Sequence, residues 1–316
     1  MDTIDNPLLL TASHSHEYWL ESVKQGGCFI LAEAVLNEWI PSIADALVNN
    51  GSEKCRLYWG EAGRIHGSIS PYLLPVSLNN WQQIEEEVCY QEGWGIAIKL
   101  DKQQDALTSA QQFNALLNHL RQWTVVDTHD GQQVLRLSDW QVLSTLLQSS
   151  DEKALSAFFG QIDSVMYMGP EHAQQEVDSK GKSVPWQSLQ AFNKQPVEDE
   201  TQWPRTLSQP QQVALAQMMK KEQYQAYQGH LHQYHSETKE WHDKQMLSFI
   251  EQQLNIATQH DFNNPQDKVR FLSLSVVFGQ DFVEQPWAKS VLKQDKQRGA
   301  VSKMDKLHEA AMAQIS

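Results

Sequence analysis

A polar, proline-punctuated segment at residues 171–208 is the feature that most limits how this chain can fold. It is rich in Gln, Glu, Ser and Asp. It also contains three prolines, Pro185, Pro196 and Pro204. Such a composition is typical of a connector, because it offers little apolar surface to bury and proline interrupts helices and sheets. A chain of 316 residues has room for two domains of ordinary size. We therefore expect a first lobe at 1–170, a linker at 171–207 and a second lobe at 208–316.

The first lobe combines strand patterns with helix patterns. Short apolar runs at 28–32 and 55–59, and period-two alternation over 92–100, predict strands. The spacing of apolar residues predicts helices over 39–48 and 108–123, and Thr108 with Gln111 forms a capping box for the second of these. A mixed α and β lobe with a small sheet is the expected fold.

A hairpin is the strongest local signal in this lobe. Residues 123–128 and 132–137 are strand-like and flank Asp130 and Gly131, a pair that tolerates the positive φ of a tight turn. Ser138 or Asp139 can then cap a helix that runs through Leu147.

The second lobe has few strand signals and is expected to be all-helical. A spacing of three and four residues between aromatic and apolar positions predicts one long helix from about 208 to 257. Asn264 and Pro265 begin another helix, which Gly279 ends. Further helices are predicted from Pro286 and over 302–315. The fold class is therefore α+β, with a mixed first lobe and a helical second lobe.

The charge and cysteine content indicate which partners the protein can bind and in which compartment it works. The net charge of -14 opposes binding to a phosphate backbone, so nucleic acid is not an expected partner. The first eleven residues lack the basic start and apolar core of a secretion signal, and no stretch is apolar enough to insert in a membrane. Three widely spaced cysteines fit free thiols in a reducing compartment. We expect a cytoplasmic protein.

No pattern of catalytic or metal-binding residues stands out. The chain lacks nucleophile-elbow, phosphate-loop and dinucleotide motifs, and its 12 histidines lack placed acidic or cysteine partners. We predict no catalytic residues, no cofactor and no metal. The alternative is a hydrolase with a site between the lobes, for which Glu61, His66 and Arg136 are the candidates.

Blocks along the chain resemble a bacterial family, the adaptors that load effectors onto the spike of the type VI secretion system. They lie at 57–61 (LYWGE), 70–76 (SPYLLPV), 94–98 (WGIAI), 118–121 (NHLR), 134–139 (VLRLSD) and 158–162 (FFGQI), with further likeness at 271–279, Trp287 and Lys303. After the arginine-containing strand the family shows an aromatic residue followed by Asp, Pro and Arg. This chain instead has Ser138, Asp139, Trp140 and Gln141 there.

The resemblance implies a cytoplasmic protein that binds a toxic effector and helps to join it to the spike-tip protein. The 11 tryptophans supply the kind of anchor that dominates interface energies. Trp140, Trp186 and Trp203 are the partner-binding candidates, although for Trp186 and Trp203 we favour the alternative, packing on their own domain. Arg136 is expected to pair with an acidic residue inside the lobe, the alternative being a contact with the client. A structural subunit of the secretion machinery remains a further alternative.

Overall fold

The computed structural model describes residues 6–48, 51–91, 93–168, 186–194, 203–293 and 302–315. The chain forms two compact units, Met1–Met218 and Met219–Ser316, and the division between them falls within a helix. The first unit combines helices with antiparallel sheet, and the second is helical. The protein is therefore an α+β fold, as the sequence predicts.

A six-stranded antiparallel sheet forms the centre of the first unit, with the strand order β1-β8-β7-β4-β2-β3. A smaller sheet has the order β6-β5-β9. The strands are β1 (Leu9–His14), β2 (Cys28–Ala32), β3 (Tyr72–Val76), β4 (Gly95–Leu100), β5 (Val125–Thr128), β6 (Gly131–Val134), β7 (Ile162–Tyr167), β8 (Trp186–Ala191) and β9 (Arg205–Thr206).

Helices of the first unit pack around these sheets. They are α1 (His16–Gln25), α2 (Ile40–Leu47), α3 (Ser52–Cys55), α4 (Gly60–His66), α5 (Trp81–Ile84), α6 (Ser109–Arg121), α7 (Trp140–Gln148) and α8 (Glu152–Phe159). Within the described part of the chain, no helix is long and apolar enough to cross a membrane.

The centre of the large sheet is buried on both faces. All five residues of β2 are buried, which explains why its sequence is an uninterrupted apolar run. Gly95 begins β4 with φ +139°, and a Cβ there would collide with the carbonyl oxygen of Leu31 on β2. Only glycine allows the two backbones to approach this closely.

Several local predictions are confirmed. The hairpin pairs β5 with β6, and Gly131 has the positive φ of +107° that the turn requires. Thr108 and Gln111 form the capping box of α6. The Asp139 carboxylate accepts hydrogen bonds from the Gln141 and Val142 backbone N–H groups at the start of α7.

The strand predicted at 55–59 is wrong. Cys55 ends α3, and only Arg56 makes an isolated bridge, to Tyr72 at the edge of the large sheet. Gly60 then starts α4. The segment is apolar because Leu57 and Tyr58 are buried, a pattern that does not distinguish a strand from a packed turn.

The linker prediction is also wrong where the structure describes that segment. Trp186–Ala191 is β8, an internal strand of the large sheet that pairs with β1 on one side and β7 on the other. Arg205–Thr206 is β9, which pairs in parallel with β5. The rest of the predicted linker, residues 171–185 and 195–202, lies outside the described residues, as does Glu92 at the start of the strand predicted over 92–100.

The second unit is built from helices that follow one another closely. They are α9 (Gln209–Tyr234), which begins in the first unit, α10 (Asp243–Gln259), α11 (Pro265–Phe278), α12 (Pro286–Leu292) and α13 (Lys303–Met312). The predicted single helix over 208–257 is wrong, because a 3₁₀ turn at Ser236–Glu240 separates α9 from α10. Asn264 caps α11 and Gly279 follows it, as predicted.

Candidate protein-binding surface

A buried glutamate anchors the candidate surface. Glu33 follows β2, and only 3% of its side chain is exposed. Its Oε2 atom accepts hydrogen bonds from the Arg136 guanidinium at 3.1 Å and from the Ser138 hydroxyl at 2.9 Å. The Arg136 side chain remains 52% exposed. The pairing predicted for Arg136 inside the lobe is confirmed, and the pair ties the end of β2 to the segment between β6 and α7.

Tyr58 places a second segment beside this ion pair. Burial is the main cause that raises the pKa of the Tyr58 hydroxyl to about 12. The negative charge of Glu33 raises this pKa further, and the positive charge of Arg136 opposes it. Tyr58, in the segment that precedes α4, therefore lies within electrostatic range of the Glu33–Arg136 pair.

Exposed apolar side chains lie both on the loop that follows β2 and on the segment that precedes α4. Val35, Leu36 and Trp39, in the loop between β2 and α2, are all exposed. Trp59, the residue after Tyr58, is 45% exposed, and its ring centroid lies 5.6 Å from that of Trp203, which is 50% exposed. We call Trp59 and Trp203 the aromatic pair.

The loop between β2 and α2 is held by hydrogen bonds in spite of its exposed side chains. The Asn37 side chain donates to the carbonyl oxygen of Glu87 at 2.7 Å and accepts from the Trp39 backbone N–H at 2.9 Å. The Glu33 N–H donates to the carbonyl oxygen of Trp94 at 2.8 Å. A loop fixed in this way presents apolar groups at a low entropic cost of binding.

The partner-binding candidates chosen from the sequence have different environments. Trp203 is exposed in the aromatic pair, whereas Trp140 is half-buried and stacks on Tyr167 with ring centroids 5.4 Å apart. Trp186 is fully buried, stacked on Trp19 at 5.0 Å. The partner-binding assignment of Trp186 is therefore wrong, because its indole contacts the core of its own unit; the alternative, packing within its own domain, is confirmed for this residue.

Trp59 is a surface residue that the sequence did not single out as a partner contact. Its neighbours Leu57 and Tyr58 are buried, and an apolar run gives no indication of which member faces outward when it does not form a strand. The pairing with Trp203 joins residues 144 positions apart in the sequence, which no local pattern contains.

Two of the three residues of the hydrolase alternative, Glu61 and Arg136, are paired with other side chains. Glu61 is exposed and pairs with Arg64 one turn along α4, and this contact lowers the pKa of the Glu61 carboxyl. Arg136 is paired with Glu33 instead. Among the described residues, no group of three or more His, Cys, Asp or Glu is placed to hold a metal ion.

The cysteines are free and buried, as expected from the sequence. Burial raises the pKa of Cys28 to about 12 and that of Cys55 to about 11, and it raises the pKa of Cys89 well above its ordinary value. Because the thiolate is the reactive form, none of these residues is activated as a nucleophile.

We expect all three thiols to resist a disulfide-exchange reagent in the folded protein. Their burial hinders access, and their raised pKa values leave almost no thiolate at neutral pH. Absorbance of the released thiol from Ellman's reagent measures the reaction, and concentrated guanidinium chloride should release all three groups. Rapid labelling of a thiol in the folded protein would contradict this assignment.

Comparison with known families matches one part of the chain. Residues 28–157 match the profile of a family described as "Domain of unknown function (DUF4123)". The matched region runs from β2 into α8 and contains Glu33, Trp59 and Arg136. No curated protein and no solved structure matched the chain in the corresponding comparisons.

Proposed function

We propose that this protein is a cytoplasmic adaptor that binds a type VI secretion effector and promotes its loading onto the spike-tip protein. It acts by binding another polypeptide and not by catalysis. The observation that carries the proposal is the exposed aromatic pair; a hydrogen-bonded loop of the same unit also exposes apolar side chains. Large aromatic groups on a preorganised surface are typical anchors of protein interfaces.

The family match supports the same proposal. Residues 28–157 include most of the sequence blocks that resemble the effector adaptors, from 57–61 to 134–139. The match therefore covers five of the six blocks in the first lobe. The block at 158–162 and the likeness in the second lobe lie beyond it.

The test is co-expression with the effector encoded by the neighbouring gene. We expect the two proteins to co-purify and the effector to become more soluble. An adaptor should be required for secretion of its own effector alone, whereas a structural subunit should be required for all secretion. Failure of the two proteins to co-purify, without any gain in effector solubility, would reject the proposal.

The aromatic pair predicts which substitutions weaken client binding. Trp59→Ala and Trp203→Ala should each raise the dissociation constant of the effector complex about tenfold to 100-fold, because a buried aromatic anchor is lost from the interface. Each indole is about half exposed in the free protein, so stability should fall by only about 1 kcal/mol. Calorimetric titration and thermal unfolding measure the two effects.

Tyr234→Ala is the matched control for these variants. Tyr234 is another exposed aromatic residue, but it lies near the end of α9 in the second unit. It should leave effector affinity unchanged. If the two tryptophan variants bind the effector as tightly as the Tyr234 variant, the aromatic pair is not the client surface.

A further inference from the structure

The outer edge strand β1 lacks the charged residues, proline and bulge that commonly protect an exposed strand. The chain has no Asp, Glu, Lys or Arg between Asp5 and Glu17, and β1 itself contains no proline and no bulge. Charged residues, prolines and bulges usually protect natural edge strands, because free backbone groups can pair with another strand. The opposite edge strand, β3, contains Pro75 and is bridged by Arg56.

The hydrogen-bond pattern shows which backbone groups of β1 face outward. The Phe192 N–H donates to the carbonyl oxygen of Leu8, so Leu8 and Phe192 form a hydrogen-bonded pair. Pairs of this kind alternate along antiparallel strands. Leu10, Ala12 and His14 therefore direct their backbone groups toward β8, and Leu9, Thr11 and Ser13 direct theirs away from it.

Within the described part of the chain, these outward groups have few hydrogen-bond partners. The Leu9 N–H already donates to the carbonyl oxygen of Asn6 at 3.0 Å. No backbone hydrogen bond of Thr11 or Ser13 on the outer side is formed with any residue in the described ranges. Thr11, Ala12 and Ser13 are also exposed.

We propose that a second copy of this chain pairs with β1, antiparallel and with Thr11 opposite Thr11 of the second copy. In this register the Thr11 N–H groups donate to each other's carbonyl oxygens. The Ser13 N–H donates to the carbonyl oxygen of Leu9 in the other copy. The two large sheets then continue into one another across a twofold axis.

The side chains of β1 are self-complementary in this register. Leu10, which is exposed, lies opposite Ala12 of the second copy on one face, and the two Thr11 hydroxyls meet on the other. Phe192 is 66% exposed and lies diagonal to Leu10 on the same face of the sheet, since it pairs with Leu8. Pairing therefore brings apolar groups together and places no like charges opposite each other.

The net charge of -14 on each copy acts against the pairing at long range. Salt screens this repulsion, while hydrogen bonds and apolar contacts between the strands are affected less. The dimer should therefore become tighter as ionic strength rises. This dependence on salt is opposite to that of a complex held by complementary charges.

Sedimentation velocity on the full chain tests the proposal. The wild-type protein should show a monomer–dimer equilibrium that depends on concentration. Thr11→Asp and Thr11→Lys should each raise the dimer dissociation constant about 30-fold or more, because like charges then face each other across the twofold axis. An equimolar mixture of the two variants should form a heterodimer, because residue 11 is opposite residue 11 in the proposed register.

Thr11→Val is the matched control, since a β-branched residue preserves the strand and should preserve the dimer. Residue 11 is exposed, so thermal unfolding should confirm that all three variants fold. A wild-type protein that stays monomeric up to about 100 µM, near the weak-affinity range of protein association, would overturn the proposal. So would two charged variants that dimerise like the wild type, or that fail to pair when mixed.

Hydrogen exchange of the Thr11 and Ser13 backbone amides distinguishes pairing with a second copy from binding of another partner at the β1 edge. Protection that grows with protein concentration supports the dimer. Protection that appears only when the effector is added assigns the edge to a client strand and overturns the dimer. Because the measurement begins with the chain alone, its result does not depend on the adaptor proposal.

Discussion

Trp186→Ala should destabilise the first unit by about 4 kcal/mol, the typical cost of removing a buried indole. Trp186 is fully buried. Its ring centroid lies 5.0 Å from that of Trp19, 6.1 Å from that of Trp94 and 6.2 Å from that of Trp81. Truncation would leave a cavity bounded by three large rings that belong to different elements and cannot all collapse into it. Thermal unfolding should show a midpoint lower by about 10 °C.

Trp186→Phe provides the matched control for this prediction. The indole N–H of Trp186 has no hydrogen-bond partner among the described residues, so phenylalanine loses volume without breaking a polar contact. We expect its cost to be less than half that of alanine. Effector affinity, measured well below the unfolding midpoint, should be unchanged in both variants. If the Trp186→Ala protein is as stable as wild type but binds the effector weakly, Trp186 is a partner contact and not a core residue.

The error at Trp186 has a physical cause that applies to the described parts of segment 171–208, residues 186–194 and 203–208. Its composition is that of a connector, but β8 is stabilised by hydrogen bonds to β1 and β7, whose residues are distant in sequence. Such pairing depends on tertiary context, which overrides local propensity. The N-terminal strand was missed for the same reason. His14 ends β1, which pairs with β8, and Ser15 caps α1.

Elements with local signals were predicted more accurately. The β5–β6 hairpin depends on a two-residue turn, and the starts of α6, α7 and α11 depend on capping side chains a few residues away. The long helix predicted over 208–257 failed at Ser236–Glu240 because aromatic spacing continues across the break. Periodicity alone does not show where a helix ends when no glycine or proline marks the end.

The candidate surface was predicted only in part. An arginine on a predicted strand beside acidic residues suggested an internal pair for Arg136, and Glu33 is that partner although it lies 103 positions away. The identity of the acidic residue could not be inferred, because it depends on how the strands are ordered in space. The aromatic pair likewise depends on the pairing of β9 with β5. This pairing holds Trp203, which lies just before β9, in the first lobe.

Arg136→Ala should cost about 3 kcal/mol, the lower end of the range for removing one member of a buried ion pair. The loss arises because, among the described residues, the buried Glu33 carboxylate would keep only the Ser138 hydroxyl at 2.9 Å and the Val35 backbone N–H at 3.5 Å as hydrogen-bond donors. The guanidinium is itself half exposed, so water can partly replace it, which places the expected cost at the lower end. Denaturant unfolding measures the change in the free energy of unfolding.

A double-mutant cycle with Glu33→Gln separates the ion pair from the packing of the arginine stem. The glutamine side chain introduced at position 33 would carry no charge, so losing Arg136 in that background should cost about 1 kcal/mol. The coupling energy between positions 33 and 136 should therefore be about 2 kcal/mol. Arg136→Lys, which keeps a positive charge but loses the planar guanidinium, should lie between wild type and Arg136→Ala. If Arg136→Ala costs the same in the wild-type background as in the Glu33→Gln background, the free energy comes from packing, and the Glu33–Arg136 pair does not hold β2 to the segment before α7.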